Sequence, residues 1–348
     1  MLVLELLKWA AGDSPSASEE RLASMLAEGH ERELRWVIDG GLGPMLCLAV
    51  RSQFDRVPSV RGDLLISSEL TARVRHACMV DTAVEVIDVC RQVGTPVTLL
   101  KGVSTSTQYY PSSHLRPMGD IDVLVARDAC DAVESSLVRI GYQSDTHHPR
   151  NGDLHHIPPL LQLKRNIWVE LHTKLFPSHS DLARGNVFGE ESITSQSTVS
   201  TFHQRSVRRL TDEMQLVYMS ASWIRDLTVS GIKPSFLVSL FDLIFLFRKA
   251  GTSLDWDVLL QLIDNQIAMA SLYIALTYLE RYDLCVIPQD ACSSVRVRQR
   301  LVGRLELLAI HAIIDRYLVG GRCWTHRLPL PVPGRYNLRN QLSKKLLV

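Results

Sequence analysis

Two aspartates two positions apart, Asp120 and Asp122, open an apolar run completed by Ile121, Val123, Leu124 and Val125. In an extended strand alternate side chains share a face, so both carboxylates point the same way. Like charges so placed repel each other unless a cation sits between them. Mg²⁺ suits the position, because hard cations take carboxylate oxygens and keep room for phosphate oxygens. A third acid, Glu170, lies between Val169 and Leu171 in a second strand-like run from Ile167 to Thr173. An acid with apolar neighbours is costly to bury unless it is paired or metal-bound. The bland readings are an edge strand that begins with solvated acids and an exposed strand face around Glu170.

The elements upstream decide between these readings. The run from Val97 reads as a buried strand that stops at Lys101-Gly102, and Ser104 to Thr107 follow where a helix is expected to begin. Backbone N–H groups at such a start attract anions, and hydroxyls add donors. Lys101, Gly102, Ser104 and Thr105 are therefore a candidate phosphate cradle beside a candidate metal site. Arg116 and Gly119 occupy the loop that enters the Asp120 strand, and arginine suits bidentate phosphate contact. Two plainer roles stay open: Lys101 exposed at a strand end, and Arg116 pinning its loop by pairing with Asp120 or Asp122.

This order of strand, glycine turn, helix start, loop and DxD strand resembles the nucleotidyltransferase superfamily of the DNA polymerase β type. Within it, LLKG at 99–102 and LRPMGDIDVLV at 115–125 are similar to a bacterial family of uncharacterised nucleotidyltransferases. LVRIGY at 137–142, HHIPPL at 155–160, WVELH at 168–172 and the segment 241–260 fit the same family. The resemblance covers roughly residues 75 to 285. It implies an α+β fold, a small mixed β-sheet core of the polymerase β type flanked by N-terminal and C-terminal helical regions. It also implies Mg²⁺-dependent transfer of a nucleoside monophosphate from an NTP to a hydroxyl or phosphate of a small molecule or peptide, with release of pyrophosphate. Two Mg²⁺ ions, replaceable by Mn²⁺ and about 3.5–4 Å apart, would sit on Asp120, Asp122 and Glu170, the last as metal ligand or general base. One departure concerns the triphosphate: a small residue often follows the first glycine directly, whereas here Val103 does, with Ser104 one step later. The rival functions are nucleotidylation of a protein or tRNA, as in toxin-like members, and a nucleotide-binding protein that has lost catalysis.

His147, His148, His155, His156 and His172 invite a zinc hydrolase reading. Adjacent strand residues face opposite ways, so His155 and His156 are not expected to reach one metal, and no HExxH occurs. The resemblance places the HH segment in the pocket. His156 and His172 are thus substrate-pocket candidates, and His172, on the Glu170 face, is placed to orient substrate or a carboxylate.

The rest of the 348-residue chain frames this core. It is 46% hydrophobic and 22% charged with a formal net charge of +1, which supplies no general attraction to nucleic acid. Seven scattered cysteines without a CxxC pair suit free thiols in a reducing cytoplasm. Glu5 within the first apolar stretch argues against a signal peptide, and the apolar run Phe236 to Phe247 is too short to span a bilayer. The expected organisation is a helical region over 1–70, a nucleotidyltransferase core over 71–200, a helical domain over 201–325 and a Pro-rich basic tail over 326–348. Within it, helices are expected over Leu2 to Ala11 and Leu70 to Val93, with an N-cap at Ser16 or Ser18 between them. Further helices are expected over Ala126 to Ile140, capped by Gly141, over Val207 to Asp226 and over Val295 to Leu318. Strand pairing is expected for His155 to Leu163 with Ile167 to Thr173.

Overall fold

The computed structural model describes residues 2–12, 15–145, 155–229 and 236–318. His147, His148, the break at Gly231 to Pro234 and the Pro-rich basic tail lie outside them. Two compact units emerge: Leu70–Gln215, and the described residues of 1–69 together with those from 216 onward.

The first unit is built on one seven-stranded mixed sheet. Its strands are β1 (Val97–Leu99), β2 (Asp120–Val125), β3 (Tyr142–Ser144), β4 (Leu160–Gln162), β5 (Ile167–His172), β6 (Ser197–Phe202) and β7 (Arg205–Leu210), in the order β3-β4-β5-β2-β1-β7-β6. β2 runs parallel to β5 and β1 parallel to β7, while the other neighbours are antiparallel. The fold is α+β, as the resemblance implied.

Period-two alternation sends Ile121, Val123 and Val125 of β2 and Ile167, Val169 and Leu171 of β5 into one core. There they meet Met79, Ala83, Val86, Ile87 and Cys90 of the helix Ser59–Val93, and Val133 and Leu137 of the helix Cys130–Arg139. Gly141 closes the latter helix with φ at +102°, a left-handed position that glycine adopts without a Cβ clash.

Several local expectations change. The helix expected over Ala126 to Ile140 is a short 3₁₀ turn, Arg127–Ala129, followed by Cys130–Arg139, and Ile140 is exposed. Residues 207–210 form the end of β7 rather than a helix, which starts only at Asp212. The β6–β7 turn is made by His203 and Gln204, both at positive φ (45° and 65°). A tight hairpin usually advertises that geometry with Asn-Gly, so its sequence signal was missing. The strand expected over His155 to Leu163 shrinks to β4 plus one isolated bridge, His156 to His172. Pro158 and Pro159 between them cannot donate to a ladder.

The second unit is helical. It contains Leu2–Ala11, Pro15–Glu28, Glu31–Asp39 and Gly43–Ala49 from the N-terminal side. Phe236–Ala250, Trp256–Leu262, Gln266–Arg281, Gln289–Arg298 and Arg304–Leu318 join from the C-terminal side. Ser16 and Ser18 fall inside a helix that begins at Pro15, since proline is itself well suited to a first helical turn. The single helix expected over Val295 to Leu318 is two, separated near Gly303. Arg248 donates to the carbonyl of Ala10, placing a cation at the C-terminal end of the first helix. No described helix is long and apolar enough to cross a membrane.

Candidate active site

The parallel register of β2 and β5 sets Asp122 opposite Glu170 and Leu124 opposite His172. Because the odd-numbered residues of both strands fill the core, Asp120, Asp122, Glu170 and His172 share the other face. The three acids of the sequence reading therefore converge, from two strands almost fifty residues apart.

Their contacts form a chain. Oδ1 of Asp122 accepts from Lys101 Nζ at 2.5 Å and from His172 Nε2 at 2.8 Å. The same Nε2 lies 3.3 Å from Glu170 Oε2, which is 4.0 Å from Nε2 of His156. Asp122 and His172 are buried, at 2% and 0% exposure, whereas Glu170 and Lys101 keep a partly open side.

The electrostatics separate the acids. Burial works against charge on Asp122, but the Lys101 ammonium and the His172 hydrogen bond hold its carboxyl well below the usual range. Burial also opposes charge on Glu170, but the His172 hydrogen bond together with the charges of Lys101 and His172 leaves its carboxyl lowered. His172 itself, though burial favours its neutral form, is raised by bonding to the two carboxylates. Asp120 goes the other way: burial first, then the charge of Asp122, push it up to about 7 despite Lys101.

Asp122, Glu170 and His172 each offer an atom within 4.8 Å of the other two, a spread that fits a metal ion. Asp120 is outside this tightest set and couples to it through charge. Nδ1 of His172 is buried with no hydrogen-bond partner. The ring proton therefore belongs on Nε2, the nitrogen that donates to Asp122; moving it to Nδ1 would leave a buried donor unmet, at a cost of about 1–3 kcal/mol. Such an imidazole orients carboxylates and is a poor ligand. Asp122 and Glu170 are then the oxygen donors of this group, a chemistry that suits a hard divalent cation, with Asp120 on the same strand face.

The phosphate-cradle candidates divide. The helix begins at Lys101 rather than at Ser104, so Ser104 and Thr105 lie within it and are buried. Their hydroxyls donate to Gln108 Oε1 (2.8 Å) and to the carbonyl of Lys101 (2.9 Å), spent inside the helix instead of presented at its start. Lys101 carries a left-handed backbone, φ 41°, where β1 gives way to the helix. Non-glycine residues held there store strain of about 1–3 kcal/mol, and such positions cluster at functional sites. Gly102 is closely overlaid by two side chains: a Cβ would stand 2.4 Å from Arg116 Nη1 and 2.7 Å from Met118 Cγ. Arg116 thus lies against the helix start and acts electrostatically on Asp120. Gly119 faces open space, with nothing near a Cβ built on it.

The rings of His155, His156 and His172 converge, with centroids 4.6 to 5.4 Å apart. His155 and His156 were expected to diverge; they do not, because the chain before Pro158 is not a regular strand. Two positioning residues were missed. Arg75 donates to the carbonyls of Met118 and Gly119, each at 3.3 Å, and so holds the loop leading into Asp120. Arg209, buried on β7, donates at 2.9 Å to the carbonyl of Ser104 and to Thr107 Oγ1, and so anchors the helix Lys101–Gln108. Neither carries a sequence signal beyond being one arginine among many.

A family profile described as "Uncharacterised nucleotidyltransferase" matches residues 27–282. The chain belongs to this family. Membership makes the chain a nucleotidyltransferase by family, which implies a nucleoside triphosphate as substrate. No curated protein and no solved structure matches the chain.

Proposed function

We propose that this nucleotidyltransferase family member moves a nucleoside monophosphate from an NTP to a hydroxyl or phosphate of a small molecule or peptide. The carrying observation is that β2 and β5 bring Asp120, Asp122 and Glu170 onto one face beside the first turn of Lys101–Gln108. Those three carboxylates would hold Mg²⁺, or Mn²⁺ in its place, and bound there it supplies charge neutralisation of the triphosphate and activation of the acceptor. His172 keeps Asp122 and Glu170 ionised and oriented. The backbone N–H groups at the helix start, with Lys101 and Arg116, grip the phosphates, where charge grows as the acceptor oxygen bonds to the α-phosphorus and pyrophosphate departs. His156, beside Glu170, lines the acceptor side. The net charge of +1 favours a small acceptor over tRNA. The described cysteines are free thiols, which suits a cytoplasmic protein.

The test is a pyrophosphate-release screen with each of the four NTPs and Mg²⁺ or Mn²⁺ against small-molecule, peptide and cell-extract acceptors, with products read by mass. Asp122→Asn should lower release by at least about a hundredfold. Nucleotide binding without pyrophosphate release across the panel would replace this reading with a silent nucleotide-binding protein, and modified protein or tRNA would replace the acceptor class.

A further inference from the structure

We propose that Lys101 is a tethered counter-cation: its ammonium occupies Asp122 in the ion-free protein, gives way to the divalent ion, and passes to the nucleotide's phosphates. The inference rests on the nucleotidyltransferase reading and deepens it.

Oδ1 of Asp122 accepts two donors at once, Lys101 Nζ at 2.5 Å and His172 Nε2 at 2.8 Å. One carboxylate oxygen has two lone-pair sites, so both are taken. An ion approaching that oxygen must displace one donor. An ion approaching Oδ2 instead would face the ammonium at short range, and like charges drive the movable one away. The two donors differ in mobility. His172 is fully buried and also lies 3.3 Å from Glu170, which fixes its ring. Lys101 ends a flexible four-carbon stem and is 29% exposed. Lys101 is the donor that yields.

Its backbone fits this hand-over. Lys101 stands at the junction of β1 and the helix Lys101–Gln108 with φ at 41°. A side chain rooted there reaches Asp122 on one side and stands at the helix's first N–H groups, where phosphate oxygens bind, on the other. The same charge thus serves two anions in turn: a carboxylate before the ion arrives and a phosphate afterwards. Arg116 packs over Gly102 and donates to the carbonyl of Pro117, within its own loop.

The experiment measures Mn²⁺ binding to the full chain without nucleotide, by titration calorimetry and by the electron spin resonance of free Mn²⁺. Nucleotide affinity is measured separately at saturating Mn²⁺. Removing the resident charge should tighten Mn²⁺ binding in Lys101→Met by about tenfold and weaken nucleotide binding. Lys101→Gln serves if the methionine variant does not fold. Lys101→Arg, which keeps the charge, should bind Mn²⁺ no more tightly than the wild type. Asp122→Asn separates the two ideas. If it binds Mn²⁺ as well as the wild type, the metal reading fails and this proposal with it. If it loses the ion while Lys101→Met and Lys101→Gln bind it equally or more weakly, Lys101 is a fixed support for Asp122 and the hand-over alone is overturned.

Discussion

Replacing Asp120 by asparagine should stabilise the metal-free protein at alkaline pH, and the size of the effect follows from where the carboxyl sits. Burial and the neighbouring Asp122 raise Asp120 to about 7, against roughly 3.9 in an unfolded chain. The folded form therefore holds this proton more tightly than the unfolded form. The stability it lends is complete below about pH 4 and is lost as pH rises through about 7. The full gap corresponds to about 4 kcal/mol, and screening at the partly open side reduces it to about 2–3 kcal/mol. Asparagine keeps the shape and carries no charge, so Asp120→Asn should lack this loss. His172, raised, contributes the same sign as Asp120, and His76 and His311, lowered, contribute the opposite sign. Both proteins share these groups, so the difference between their curves isolates Asp120. The assay is thermal unfolding of chelator-treated protein from pH 5 to 8.5. The variant should gain on the wild type by roughly 3–4 °C at the upper end, and adding Mg²⁺ at pH 8.5 should close the gap by stabilising the wild type. Parallel curves for the two proteins would refute the reasoning, because Asp120 would then not be crowded by Asp122 and Glu170.

Two further predictions use the loop and the helix start. Gly102→Ala forces Arg116 and Met118 aside, and both are unbranched, flexible side chains; stability should change by less than about 1 kcal/mol while NTP affinity falls about tenfold. Gly119→Ala, with open space around it, should match the wild type in both, and steady-state kinetics on the pair checks the contrast. Arg75→Ala removes two long, exposed hydrogen bonds to the loop before Asp120. Its melting temperature should barely move, while the turnover rate drops severalfold with KM unchanged, because the loop that delivers Asp120 loosens.

The strands that carry the acids were legible because alternation and charge pull against each other there. Asp120 and Asp122 within Ile121, Val123 and Val125, and Glu170 within Val169 and Leu171, have one arrangement that packs the apolar set into the core and turns the acids to the opposite face. Sequence left the pairing partner unsettled, since β2 lies beside β5 through a parallel register that nothing local encodes. The helix start was misplaced by three residues because a serine-threonine run resembles a cap, whereas the break in direction comes from the left-handed backbone of Lys101. β7 was hidden by a turn built from His203 and Gln204 in place of the usual glycine. The convergence of His155 and His156 depends on Pro158 and Pro159 interrupting a strand, an effect of missing N–H groups that periodicity does not register.

The three-residue strand β1 has a practical consequence for anyone cutting this protein into pieces. It is the shortest path into Lys101, and its outer edge is covered by β7, more than a hundred positions later. A fragment ended near residue 200 would keep every acidic residue of the centre yet strip that cover, and Arg209 with it. The bared edge would then be open to pairing with a neighbouring molecule, and the first helical turn would lose its anchor. Expression fragments meant to retain the chemistry should run past Leu210.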